Sequence, residues 1–231
     1  DGARIGVARQ RFGFHPKVDA VLEEALATIK AQGAELIDPV ELVSHEEMGD
    51  AEYQVLLYEF KADLNRYLAA LGEAAPVATL AEIIRFNEEN ADREMPFFGQ
   101  EIFLKAEEKG DLTSREYLDA LETCRRMSRE EGIDATMNEH RLDAIVAPTG
   151  GPAWTTDLVN GDHFGGGSSS FAAVAGYPNI TVPAGFVHGL PIGLSFFGRA
   201  WSEPLLLGLA FSFEQATRAR RPPTFAPTLP V

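Results

Sequence analysis

A chain of 231 residues, 45% apolar and 24% charged, is long enough to bury a sizeable core in one or two domains of ordinary globular composition. Its net charge of -15 argues against a basic face, and so against a nucleic-acid or anionic-membrane partner. The single cysteine, Cys124, excludes an intrachain disulfide and reads as a helix-packing thiol, and no apolar run reaches transmembrane length. Because the chain opens on Asp1 rather than Met, the expectation is that its native N-terminus is absent. The compartment is left open, with a cytoplasmic setting as the default expectation.

The first predicted element is a short strand over Arg4–Ala8. Pro16 fits the first turn of a helix whose apolar stripe is Val18, Val21, Leu22, Ala25, Leu26 and Ile29, and Gly33 stops it. Strand character returns at Glu35–Asp38 and Val40–Val43, which completes a parallel βαβ unit over residues 1–43. Residues 44–141 read as a helical insertion. Tyr53, Leu56, Leu57, Phe60, Leu64 and Leu68 share helical spacing over 51–71, and a second helix is expected over Thr79–Asn90. The segment Met95–Gln100 interrupts the pattern before Glu101–Lys109. Thr113 with Glu116 forms a capping box opening a long helix to about His140, weakened near Gly132.

Residues 142–231 change character: they contain no lysine and are rich in strands, Gly and Pro. Asp143–Ala147 is a buried strand ending at Pro148, and Asn179–Pro183 and Pro191–Phe197 are strands joined by a turn at His188-Gly189. Asn179–Pro183 reads apolar on both faces, the mark of a covered, central strand. Ser202 caps a final helix with Pro204 in its first turn. Leu205, Leu206, Leu209, Phe213 and Ala216 face the core, and Arg218, Arg220 and Arg221 suit the negative end of the helix.

The long Gly-rich loop from Thr149 to Gly167 leaves the carboxyl end of a strand, where open α/β sheets bind ligands. It runs into Gly165-Gly166-Gly167-Ser168-Ser169-Ser170 before a helix at Phe171–Ala175. Its free N–H groups suit an oxyanion, while helix capping by the serines is an equal reading. Thr149, Trp154, Phe164, Gly166, Ser168 and Ser169 are therefore candidate substrate-binding residues. Met95–Gln100 carries the aromatics Phe97 and Phe98 and an amide between helices, and reads either as packing at a helix elbow or as a pocket wall with Gln100 as its polar handle. A hydrolase triad of Ser169, His163 and Asp162 fails on geometry, because adjacent residues rarely place a carboxylate behind an imidazole, and no G-x-S-x-G elbow is present. The five histidines lack metal-ligand spacing and read as surface or capping residues, and nothing implies a cofactor.

Several segments together resemble the amidase signature family, whose members hydrolyse amides with a Ser-Ser-Lys centre. Gly2–Val7 resembles the strand that follows that family's catalytic core. Leu142–Thr149 resembles its D-A-hydrophobic-hydrophobic-x-P strand, and Ala173–Gly185 its A-G-x-P-x-hydrophobic-x-V-P-x-G segment. Leu190–Gly198 resembles its L-P-hydrophobic-G strand, and Ser202–Ala216 its terminal helix with the Phe213-Glu214 pair. Glu94–Phe103 and the serine triplet are most similar to the bacterial peptide amidase branch, which deamidates peptide C-termini.

The resemblance implies an α/β fold with a mixed central sheet flanked by helices, of which residues 1–231 are the C-terminal part with a helical insertion. The family's catalytic residues find no counterpart here. Gly165–Ser170 lacks the glycine pair after the serines, and Lys17, Lys30, Lys61, Lys105 and Lys109 lie in predicted helices. The expectation is a chain that supplies sheet and substrate-funnel wall to an amide hydrolase, with no catalytic residue and no metal of its own. Its partners would be a small amide or peptide-amide substrate and the N-terminal catalytic half of the same protein, and the isolated chain would self-associate. The alternative is a non-catalytic α/β scaffold or binding module.

Overall fold

The computed structural model describes residues 2–42, 45–72 and 75–225, with only the backbone of His45 and Glu46. The chain divides into two compact units, residues 1–43 with 125–231, and residues 44–124.

The first unit is built on a five-stranded mixed sheet. Its strands are β1 (Arg4–Val7), β2 (Glu35–Ile37), β3 (Ala144–Pro148), β4 (Asn179–Val187) and β5 (Leu190–Phe197), in the order β2-β1-β3-β5-β4. β1 pairs in parallel with β2 and β3, and β5 runs antiparallel to both β3 and β4. Residues 40–42 form no strand, contrary to the hydrophobic pattern, and Val43 lies outside the described residues. The Val40 amide still donates to the Val7 carbonyl at 2.9 Å, so the segment follows β1 without extending the ladder.

Helix α1 (Pro16–Ala31) begins as its sequence dictates. Pro16 occupies the first turn, and the ring of His15, the residue before it, accepts from the Val18 amide. Val18, Leu22, Ala25, Leu26 and Ile29 are buried against the sheet together with Leu206, Ala210 and Phe213 of the final helix. Burial on this scale stabilises by about 1.5–3 kcal/mol per large side chain as an upper bound. Strand alternation sends Val146, Val182, Leu194 and Phe196 to this face. Ile145, Ala147, Ser195 and Phe197, also buried, therefore point to the opposite face. At His188-Gly189 both residues adopt positive φ, the backbone of a two-residue hairpin turn.

The helical stretch before β3 is not one straight helix. The chain passes through α6 (Arg115–Arg125), a π-helical segment (Arg126–Ile133) and α7 (Asp134–His140). Gly132 breaks the helical geometry with φ -99 and ψ -106, and a Cβ there would lie 2.4 Å from the Met127 carbonyl oxygen. Within the π segment, Arg129 donates from Nε to the Ala175 carbonyl at 2.7 Å. That carbonyl closes the short helix Ser169–Ala175.

The second unit carries α2 (His45–Leu71), α3 (Leu80–Glu89), α4 (Ala91–Glu94), α5 (Glu101–Glu107) and most of α6. Leu57, Leu80, Ile84 and Ala106 form its small core, with Leu64 and Phe103 packed on it. Tyr53, Leu56 and Phe60 of the predicted stripe remain exposed. Thr79 caps α3 by accepting from the Glu82 amide at 3.2 Å. The Thr113–Glu116 capping box does not form. Thr113 donates to Asp111, while Glu116 accepts from Tyr58 and from Lys109. Those bonds hold the Glu116 carboxyl below the usual range, with Tyr58 the larger cause. Burial, and then Glu52 and Glu59, push the Cys124 thiol up, away from nucleophilic character.

The last helix of the first unit departs from its sequence pattern. In Glu203–Thr217, Leu206, Ala210 and Phe213 are buried, but Leu205 and Ala216 are exposed. Ser202 stands at the cap position, yet its hydroxyl donates to the Arg199 carbonyl at 2.7 Å rather than serving the free amides.

Candidate functional site

β3 ends at Pro148, and the chain leaves the sheet at Thr149. The Thr149 amide donates to the Gly193 carbonyl at 3.0 Å, one step beyond the strand. Gly150 and Gly167 form an isolated antiparallel bridge, and buried Ser168 donates from its hydroxyl to the Pro148 carbonyl at 2.7 Å. The two stems of the loop are thereby clamped together. Ser168 ties the end of the loop to the end of β3. It is the N-cap residue of α8 (Ser169–Ala175), and its side chain makes no capping bond to the helix amides.

The glycines serve an aromatic ring. A Cβ on Gly165 or Gly166 would lie 3.0 or 2.9 Å from the Phe14 ring, and one on Gly151 would lie 3.5 Å away. Phe14 is thus wrapped by the stems of the loop, a contact that larger residues would push apart. This packing leaves a cleft of about 200 Å³ bordered by Phe14, His15, Pro152, Trp154, His163 and Gly165. The His15 Nδ1 accepts from the Val18 amide, so the neutral ring carries its proton on Nε2.

Trp154 meets Phe164 edge-to-face at 6.4 Å between centroids and donates from Nε1 to Asp162 at 3.2 Å. Their exposures of 42% and 74% leave two large aromatics in solvent, with Trp154 bordering the cleft and Phe164 against Trp154. At the tip, Asp157 accepts from the amides of Val159 and Asn160 and from the Asn160 side chain, each at 2.9 Å. The bonds from Asn160, then that from Val159, hold the Asp157 carboxyl below the usual range.

Ser169, His163 and Asp162 are not linked by any hydrogen bond among the described residues, and Asp162 serves Trp154 instead of orienting an imidazole. The rejected triad is therefore not assembled. No group of three or more metal-ligating side chains occurs among the described residues.

Thr149 carries a feature that the sequence pattern concealed. Its Oγ1 lies 2.5 Å from the Thr181 hydroxyl and 2.8 Å from the Ser195 hydroxyl, so β4, β5 and the residue that follows β3 each bring one hydroxyl to the foot of the loop. The second unit has a cleft of its own, of about 420 Å³, bordered by Asn87, Met95, Phe98 and Gln100. Gln100 donates to the Ile84 carbonyl at 3.1 Å and accepts from Asn87 at 3.0 Å. Both ends of its amide are thus tied to α3, and each keeps one further hydrogen-bonding position.

The sequence profile described as Amidase matches residues 1–207. A protein described as a probable amidase from Arabidopsis thaliana is 37% identical over 226 residues, covering 95% of this chain and 40% of that protein. Among solved structures, a peptide amidase in complex with the competitive inhibitor chymostatin is 44% identical. Its TM-score is 0.90, over 97% of this chain and 45% of that one. The native peptide amidase of Stenotrophomonas maltophilia is 42% identical with a TM-score of 0.86, again over 97% and 45%. The chain thus spans less than half the length of each of these relatives. With the mixed sheet, the loop at the end of β3 and this likeness in hand, the chain belongs to the amidase family.

Proposed function

We propose that this chain forms part of an amide hydrolase acting on small amides, peptide amides among them, and that it supplies sheet and substrate-funnel wall rather than the reacting groups. The observation that carries the reading is the clamped loop after β3, whose Trp154 and Phe164 stand 42% and 74% exposed beside a cleft. Membership of the amidase family and the likeness to peptide amidases supply the reaction class. On this reading the Ser-Ser-Lys centre belongs to a further, N-terminal part of the same protein. The aromatic lip holds the apolar side chain of the substrate, orienting the amide toward that centre.

The test compares ammonia release from peptide amides by the full-length protein and by the 231-residue chain. Turnover is expected from the first alone, because among the described residues no serine hydroxyl is hydrogen-bonded to a histidine, lysine or carboxylate. Turnover by the chain alone that disappears in Ser169→Ala would overturn the division of labour. Absence of turnover in the full-length protein would favour a non-catalytic scaffold.

A further inference from the structure

The hydroxyls of Thr149, Thr181 and Ser195 have a direction that follows from burial. Ser195 is 2% exposed, and among the described residues its hydroxyl has one partner, Thr149. Each hydroxyl has a single proton to donate. Were Thr149 to donate to Ser195, the Ser195 proton would be left buried without an acceptor, which costs about 1–3 kcal/mol. Ser195 therefore donates to Thr149. Thr149 has only one other hydroxyl partner, Thr181, and donates to it at 2.5 Å. Thr181 is exposed, and its own proton is left to donate outward. Each donation polarises the next, so the last O–H in the row is a stronger donor than an isolated threonine.

The surroundings preserve this row. A Cβ on Gly193 would lie 2.6 Å from the Thr181 Oγ1 and 2.7 Å from the Thr149 Oγ1, so any larger residue there displaces both hydroxyls. Among the described residues the three hydroxyls bond only to one another, and no lysine or arginine joins them. A neutral donor without a cation suits a neutral acceptor better than a carboxylate.

The geometry points to Thr181 as a substrate-recognition residue that donates a hydrogen bond to a carbonyl oxygen of the substrate other than the one being hydrolysed. Thr149 and Ser195 act as positioning residues behind it. This inference rests on the amide-hydrolase reading above. It adds to that reading a residue that would recognise the second carbonyl of a peptide amide.

The test uses the full-length protein and two substrates. One is N-acetylphenylalanine amide, and the other is 2-benzylpentanamide, in which an all-carbon chain replaces the acetamido group. Thr181→Val keeps the shape and the strand propensity of the exposed residue while removing the donor. It is expected to raise KM for the acetylated substrate about tenfold, leave kcat in place and leave the all-carbon substrate unaffected. Thr181→Ser should restore the wild-type KM. Ser195→Ala, which removes the source of the direction, should raise the same KM by a smaller factor with kcat unchanged.

Equal effects of Thr181→Val on both substrates, or none on either, overturn the inference while wild-type turnover upholds the amidase reading. An unchanged KM in Ser195→Ala overturns the directional role of the row. Wild-type protein that turns over no amide overturns the amidase reading and this inference together.

Discussion

Trp154 lies half in contact and half in solvent, and that division sets what its removal should do. A fully buried tryptophan costs about 3–5 kcal/mol on truncation to alanine. Here the losses are one edge-to-face contact with Phe164 and one hydrogen bond to Asp162, each worth about 0.5–1.5 kcal/mol. Trp154→Ala in the full-length protein should therefore leave the melting temperature within a few degrees of the wild type. It should change side-chain preference, or raise KM, by about tenfold. An unfolded variant whose surviving fraction keeps its specificity would remove the funnel role. Asp157 offers a second test at this scale. Its carboxyl is depressed in the folded chain, so its support of the loop tip is present above the ordinary value of 3.8 and is lost as pH falls through the lower folded value. The amide resonances of Val159 and Asn160 should titrate with a midpoint below 3.8. In Asp157→Asn, which keeps the acceptor and removes the proton site, that titration should vanish. Its persistence would assign the event to another group.

Elements written by local periodicity were legible, and those decided by distant partners were not. The α1 stripe, its Pro16 start and the His188-Gly189 hairpin needed only neighbouring residues. The capping box failed because Asp111, Tyr58 and Lys109 supply other partners to Thr113 and Glu116. The loop was legible by its length and glycines, but not its purpose of enclosing Phe14, which lies far away in the chain. The one available signal was an aromatic pair, Phe12 and Phe14, placed between β1 and α1 with no helical or strand stripe to absorb it. Thr181 and Ser195 were hidden too, since their adjacency to Thr149 depends on the register of three strands. Gly132 was legible as a weak point and proves to be a required one. Gly132→Ala places a methyl against the fixed Met127 carbonyl and should destabilise the protein by about 2 kcal/mol or more, read as a lower urea midpoint. An unchanged midpoint would mean that the segment relaxes into a regular helix.

At the scale of the whole chain, β4 ends the sheet order and α9 (Glu203–Thr217) presents Leu207 and Phe211 outward, with Trp201 exposed just before it. An open ladder edge and apolar side chains of this size favour association. Charge opposes it, because each copy carries -15. The isolated 231-residue chain should therefore self-associate more strongly as salt screens that repulsion, seen by light scattering together with dye binding to apolar surface. A monodisperse monomer at high salt that binds no dye would count against this.

The clamp at the base of the loop has a consequence for how such a protein can diversify. Because Gly150 meets Gly167 and Ser168 is tied to Pro148, the residues between begin and end at nearly one point. A segment anchored in this way acts as an exchangeable cassette. Doubling its length adds only about 0.6 kcal/mol of closure entropy, and the strands beneath keep their register whatever it contains. On the proposed function, substrate preference could therefore be rewritten within one short stretch of gene, while the sheet that carries it stays under a separate and much stricter constraint.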